Sequence, residues 1–152
     1  MIGRLVDERG VLEWTNEGKW VRAYWMTGMI FGTIRGDHAH RKANRLVVVV
    51  AGGCWLITKD RPGRTEVVRL SAGDHLLVPP MIWTRLFNFL QGTVVLVMAD
   101  QPYDPAEVIG DYEEWASLAT SVPGAGPSAL PGTLLGDPFR PMNDPSASFA
   151  ER

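Results

Sequence analysis

A single cysteine, Cys54, stands in this chain of 152 residues, so neither an intrachain disulfide framework nor a cysteine-based zinc cluster can be assembled. Charge of one sign is equally scarce. Fifteen basic residues against 17 acidic ones leave a net −2, which offers no electrostatic footprint for nucleic acid or an anionic membrane surface. Long apolar runs are missing too. The longest, Leu46 to Ile57, is interrupted by Gly52 and Gly53 and falls short of the roughly 20 residues that span a bilayer. The opening MIGRLVDERG has no apolar stretch of the kind a secretory signal carries, and the expected location is cytoplasmic. What the chain does have is 45% hydrophobic residues, enough for one compact domain with a single core.

Most of the pattern is short strands. Lys19 to Met26 alternates polar and apolar residues, and Arg45 to Ile57 is a nearly continuous run of β-formers, too valine-rich for a helix. Further strands are expected at Thr65–Leu70, His75–Val78, Thr84–Phe89 and Thr93–Ala99. Turn chemistry separates them at Gly52-Gly53, Arg61-Pro62-Gly63, Ala72-Gly73-Asp74, Pro79-Pro80 and Gln91-Gly92. Such spacing predicts an all-β sandwich or barrel. One helix is expected, Pro105–Leu118, with Asp104 as its cap and Pro105 at its first position. From about Ser121 the composition turns to Pro, Gly, Ala and Ser without periodicity. The division read from this is a folded domain over 1–118 and an extended or disordered tail over 119–152.

Histidine is rare, and its distribution carries the chemistry. Two of the three fall in Arg35-Gly36-Asp37-His38-Ala39-His40. On a strand, residues i and i+2 project from one face, so both imidazoles would point the same way. Clustered imidazoles suit a metal site or an acid–base site; a solvated edge pair is the plain alternative. The third, His75, reads as a satisfied structural histidine, and Cys54, inside an apolar strand, as an inert core residue.

Gly32, five residues, then His38-x-His40 resembles the opening of the first cupin motif. Gly73, five residues, Pro79 and later Asn88 resemble the second. The fold this resemblance implies is an all-β cupin, a double-stranded β-helix jelly roll, with a short C-terminal helix. Metal-binding cupins add a Glu a few residues after HxH and a His within the second motif. Here those positions hold Asn44 or Arg45 and Thr84, and a cationic arginine opposes a divalent ion. No metal and no cofactor is expected.

A closer resemblance lies in Val21-Arg22-Ala23-Tyr24-Trp25 followed by Arg35-Gly36-Asp37-His38-Ala39-His40-Arg41. It is similar to the dTDP-4-keto-6-deoxyglucose 3,4-ketoisomerases, metal-free WxcM-like cupins with an aromatic pair ahead of an RGxHAH segment. Val78-Pro79-Pro80-Met81-Ile82-Trp83 resembles that family's PPxxW element. Val97-Met98-Ala99-Asp100, Tyr103-Asp104 and Asp111-Tyr112-Glu113-Glu114-Trp115 resemble its closing signature, and the similarity spans roughly residues 10 to 116. Three positions depart from the pattern. Arg45 stands where the family has glutamine, Gly110 where it has arginine, and Asp60-Arg61-Pro62-Gly63 replaces an Asp-Asp-Gly turn.

The resemblance implies an isomerase that moves a keto group between C4 and C3 of a dTDP-linked 6-deoxyhexose through an enediol, in deoxysugar or natural-product biosynthesis. His38 is then the expected base, His40 handles protons at the sugar oxygens, and Tyr24 donates to the enediolate. Substrate binding is expected from Arg35 at the pyrophosphate and Trp83 against the sugar, with Arg85 and Arg45 as further anion contacts. A surface salt bridge for Arg35 and simple packing for Trp83 are the plainer alternatives. Tyr103 and Asp104 are expected to form a turn that docks the helix. The expected partners are a nucleotide-linked keto sugar and a second copy of the chain as a homodimer, with no nucleic acid and no membrane. Two other readings stay open: a cupin isomerase or cyclase recruited to another small natural-product intermediate, and a non-catalytic metabolite-binding cupin.

Overall fold

Alternation of buried and exposed residues sets most of the strands in this protein. In Val94–Ala99, Val95, Val97 and Ala99 turn inward while their neighbours face outward, as period-two pleating requires. The computed structural model describes residues 2–8, 10–15 and 18–121. Its strands are β1 (Ile2–Asp7), β2 (Gly10–Thr15), β3 (Arg22–Met26), β4 (Arg35–His40), β5 (Arg45–Ala51) and β6 (Gly53–Arg61). They continue as β7 (Arg64–Ser71), β8 (His75–Val78), β9 (Trp83–Phe87), β10 (Val94–Ala99) and the short β11 (Val108–Ile109), and the helix α1 spans Tyr112–Thr120.

Two antiparallel sheets, ordered β3-β10-β5-β8 and β11-β4-β9-β6-β7, enclose the core, and β1-β2 forms a separate hairpin. This is the β-rich cupin-type architecture expected from the sequence. The core between the sheets is apolar, built from Val47, Val49, Leu56, Leu76, Val78, Leu86, Val95 and Val97. Cys54 lies among them, where burial pushes its thiol up to about 12. Gly52 lets the long apolar run change sheets. Its φ is +73°, and a Cβ there would come within 2.4 Å of the Thr93 hydroxyl, which accepts the Gly53 N–H at 3.1 Å.

The expected helix over Pro105–Leu118 is corrected. Asp104 caps only a single 3-10 turn, Pro105–Glu107. Val108 and Ile109 are β-branched and leave the helical path to pair with His40 and Ala39 on β4. A second cap, Asp111, then starts α1 by accepting the Glu114 N–H at 2.9 Å. The helix lies on the outer face of the larger sheet. There Trp115 is fully buried, donates from Nε1 to the Met81 carbonyl at 2.7 Å, and packs on Trp83 and Tyr112. Because α1 runs to Thr120, folded structure extends beyond residue 118; the tail expected after it lies outside the described residues. No helix among the described residues is long and apolar enough to cross a membrane.

Candidate active site

The inward face of the two sheets is apolar along most of its length and polar at one end. That end collects His38 and His40 from β4, Arg45 from β5, Tyr24 from β3 and Thr84 from β9. Strand parity places them together. His38 pairs with Thr84 across β4 and β9, Arg45 pairs with Val78 and Ala99, and Tyr24 pairs with the inward Val97.

A bulge in β4 aims the histidines. The register shifts between Gly36 and His38, with φ of +78° at Gly36 and +57° at Asp37. Gly36 is required here, because a Cβ would meet the Thr84 carbonyl at 3.1 Å. The extra residue turns the Asp37 carboxylate to the outer face, where it accepts from Arg85 at 2.9 and 3.0 Å and from Trp83 Nε1 at 3.2 Å. The Arg85 guanidinium holds Asp37 below the usual carboxylate range.

Two of the expected substrate contacts lie apart from the histidines. Trp83 and Arg85 alternate with Thr84 along β9, so they lie on the sheet face opposite the histidines. Trp83 is packed beneath α1, Arg85 is paired with Asp37, and both line a cavity on that outer face. Arg35 is exposed at the start of β4; its register partner is the inward Leu86, which puts it on the histidines' face. His75 is corrected in a smaller way, since its buried Nδ1 finds no hydrogen-bond partner among the described residues. Tyr103 is exposed, with its ring 5.1 Å from the Arg22 guanidinium, and Arg22 also lies 4.5 Å over the Tyr24 ring.

The two imidazoles are tied at one end and open at the other. His38 Nδ1 donates to the Gly36 carbonyl at 2.8 Å, and His40 Nδ1 donates to Glu107 Oε2 at 2.5 Å. Those acceptors assign the proton of each neutral ring to Nδ1, so both Nε2 atoms carry lone pairs. The two Nε2 atoms lie 3.1 Å apart. Burial is the largest influence on both rings and lowers both; the Arg45 charge adds to it, and His40 falls to about 4. The histidines are therefore neutral at pH 7.

Glu107, at the end of the 3-10 turn where a longer helix is expected from the sequence, completes the arrangement. Its Oε1 accepts the backbone N–H groups of Lys42 and Ala43 at 2.7 and 2.8 Å. Burial works to raise its pKa, but these two amides and His40 outweigh that and leave it lowered, hence ionised. The signal that could have located it is the Val108-Ile109 pair that follows, better suited to a strand than to a helix. The outcome is a carboxylate–histidine–histidine chain whose last nitrogen, His38 Nε2, lies 3.4 Å from Arg45 Nη1. Its chemical capacity is proton transfer.

Two cupin-type sheets carry this carboxylate–histidine–histidine chain at their polar end. The chain belongs to the FdtA family (WxcM-like, C-terminal), whose sequence model matches residues 2–120. It is 28% identical over 124 residues to the TDP-4-oxo-6-deoxy-alpha-D-glucose-3,4-oxoisomerase of Aneurinibacillus thermoaerophilus, covering 78% of this chain and 89% of that one. Its fold is similar to the 3,4-ketoisomerase QdtA of Thermoanaerobacterium thermosaccharolyticum in complex with TDP. That match has a TM-score of 0.74 and 26% identity over 78% of this chain and 90% of QdtA. A histidine-to-asparagine variant of QdtA, solved with TDP-4-keto-6-deoxyglucose, gives the same TM-score and coverage at 25% identity. The protein is an isomerase of the 3,4-ketoisomerase-like kind.

Proposed function

We propose that the protein is a metal-independent 3,4-ketoisomerase that moves a keto group between C4 and C3 of a dTDP-linked 6-deoxyhexose. The observation that carries this reading is the His38–His40 pair, two neutral imidazoles with lone pairs 3.1 Å apart. The substrate class is supported by the relatives, one named for TDP-4-oxo-6-deoxyglucose and another bound to TDP-4-keto-6-deoxyglucose.

In the forward direction His38 Nε2 takes the proton from C3. The C–H electron pair forms the C3=C4 double bond, and the C4 carbonyl electrons move onto O4. Two facing lone pairs repel, so a proton captured by His38 is stabilised by lying between both Nε2 atoms. Glu107 holds the Nδ1 proton of His40 in place and favours that shared state. Collapse of the enediol transfers a proton from O3 to O4, with His40 handling it, and returns one to C4 to leave the carbonyl at C3. Tyr24 donates to the enediolate oxygens.

Arg35, exposed on the histidines' face of β4, is the contact for the pyrophosphate, where its planar fork bonds two oxygens at once. A homodimer is part of the same reading. The β1-β2 hairpin forms a sheet of its own and leaves Val6 64% and Leu12 60% exposed, an apolar surface suited to a second copy.

Incubation with dTDP-4-keto-6-deoxyglucose in deuterium oxide, followed by proton NMR, tests the reading. A 3-keto product carrying deuterium at C4 is expected, together with a rise in melting temperature on adding dTDP. No product and no thermal shift would sink the sugar-nucleotide reading.

A further inference from the structure

Arg45 is the one buried arginine or lysine among the described residues, with 4% of its surface exposed. Its surroundings hold it loosely. Nη1 lies 3.3 Å from the Thr84 hydroxyl and 3.4 Å from His38 Nε2, and Nη2 lies 3.4 Å from the Ile82 carbonyl. All the measured contacts are at the long end of the hydrogen-bond range. Nε has no partner. No carboxylate of the described residues forms an ion pair with it; the nearby Glu107 is already engaged by two amides and His40. A desolvated guanidinium with a spare donor and no counter-ion is unfavourable unless the site is completed by an anion.

We propose that Arg45 is a catalytic residue whose guanidinium binds the enediolate oxygen formed when the sugar is deprotonated. This rests on the isomerase reading above and adds to it the electrophile. As the C3–H pair becomes the C3=C4 bond and the carbonyl electrons settle on oxygen, the charge develops beside the nitrogen that receives the proton. Arg45 touches that nitrogen, so it is placed for both. The need for it follows from the base. Imidazoles held neutral by burial are weak bases, and removal of a proton alpha to a ketone by a weak base requires strong stabilisation of the product anion. The same cation that disfavours protonated histidine in the free enzyme becomes neutralised as the enediolate forms.

Three variants test it: Arg45→Gln, which loses the charge, Arg45→Lys, which keeps it without the fork, and Arg45→Ala. The expected result for Arg45→Gln is a kcat lower by about 10²–10³-fold, the size of effect seen when an oxyanion donor is removed, with KM changed only a few-fold. Arg45→Lys retains more activity than Arg45→Gln. Substrate deuterated at C3 shows a larger kinetic isotope effect in Arg45→Gln than in the wild type, because C–H cleavage becomes limiting. Added guanidinium ion restores part of the turnover of Arg45→Ala, whose fold is verified by retention of the dTDP-induced thermal shift. The proposal is overturned if Arg45→Gln turns over within about threefold of the wild type. It is also overturned if the loss appears wholly in KM, with an unchanged isotope effect and no guanidinium rescue. A wild type that converts no keto sugar removes the isomerase reading, and this proposal with it.

Discussion

The Nδ1 atom of His40 and Oε2 of Glu107 are 2.5 Å apart, and the other oxygen of that carboxylate is held by the amides of Lys42 and Ala43. The residue that sets the tautomer of the second histidine is thus itself fixed by the turn after β4. The arrangement has a consequence at each of its links.

Replacing Glu107 with glutamine should reverse the tautomer of His40. The two backbone N–H groups require an oxygen, which leaves the amide NH₂ facing His40 Nδ1. The imidazole proton then moves to Nε2 and occupies the space between the histidines. A fall in kcat of about 10²–10⁴-fold is expected, as for other wrong-tautomer variants, with dTDP binding preserved. Nitrogen-15 NMR of the histidine rings reads the tautomer directly; an unchanged pattern with full activity would show that Glu107 has no positioning role.

Gly36→Ala should damage the site through the backbone. A methyl group there meets the Thr84 carbonyl at 3.1 Å from a residue with φ of +78°, so the bulge must shift, and His38 with it. Kinetics and thermal unfolding on the same sample separate the effects: kcat should drop more than tenfold while the loss of stability stays near 1–2 kcal/mol. Wild-type turnover in this variant would refute the role given to the bulge.

Acid should destabilise the protein earlier than ordinary carboxylate titration would. An imidazole lowered from 6.5 to about 4 binds its proton in the unfolded chain first, so stability is lost as pH falls from about 6.5 to 4. For His40 the full loss is about 3 kcal/mol. Urea unfolding at pH 7.5 and 4.5 should show a smaller difference for His40→Asn than for the wild type. For the same reason kcat/KM should stay level to below pH 6.5, because the base remains neutral. An acid limb centred at 6.5 or above contradicts the burial argument.

Arg85→Ala should leave turnover within about twofold of the wild type and cost at most about 1 kcal/mol, since the Arg85–Asp37 pair is exposed on the sheet's outer face. Trp115→Ala, by contrast, empties the space under α1 and should cost about 3–5 kcal/mol. A large loss of activity in Arg85→Ala at unchanged stability would return that residue to the substrate site.

The strand rhythm was legible in the sequence because alternation and Gly/Pro punctuation are local properties. His38, His40, Tyr24 and Arg45 were legible through motif spacing, and the fold does bring them to one end of the sheets. The face that Trp83 and Arg85 occupy was not legible, because motif resemblance carries no parity: one residue along β9 separates the inner face from the outer. Glu107 was hidden because Pro105 and the following acids look like a helix start. Pairing of Val108 and Ile109 with β4, a contact nearly 70 residues away in sequence, overrides that local preference. Long-range pairing of this kind leaves little trace in one sequence.

The most direct test of the histidine pair is loss of the C3 hydrogen to solvent. Keto sugar deuterated at C3 is incubated in ordinary water with the wild type, His38→Asn and His40→Asn, and deuterium at C3 is followed by NMR under saturating substrate. The account predicts washout by the wild type, none by His38→Asn even though dTDP still raises its melting temperature, and slowed washout by His40→Asn. Washout by His38→Asn at the wild-type rate would contradict it, because the proton would then leave through some other base.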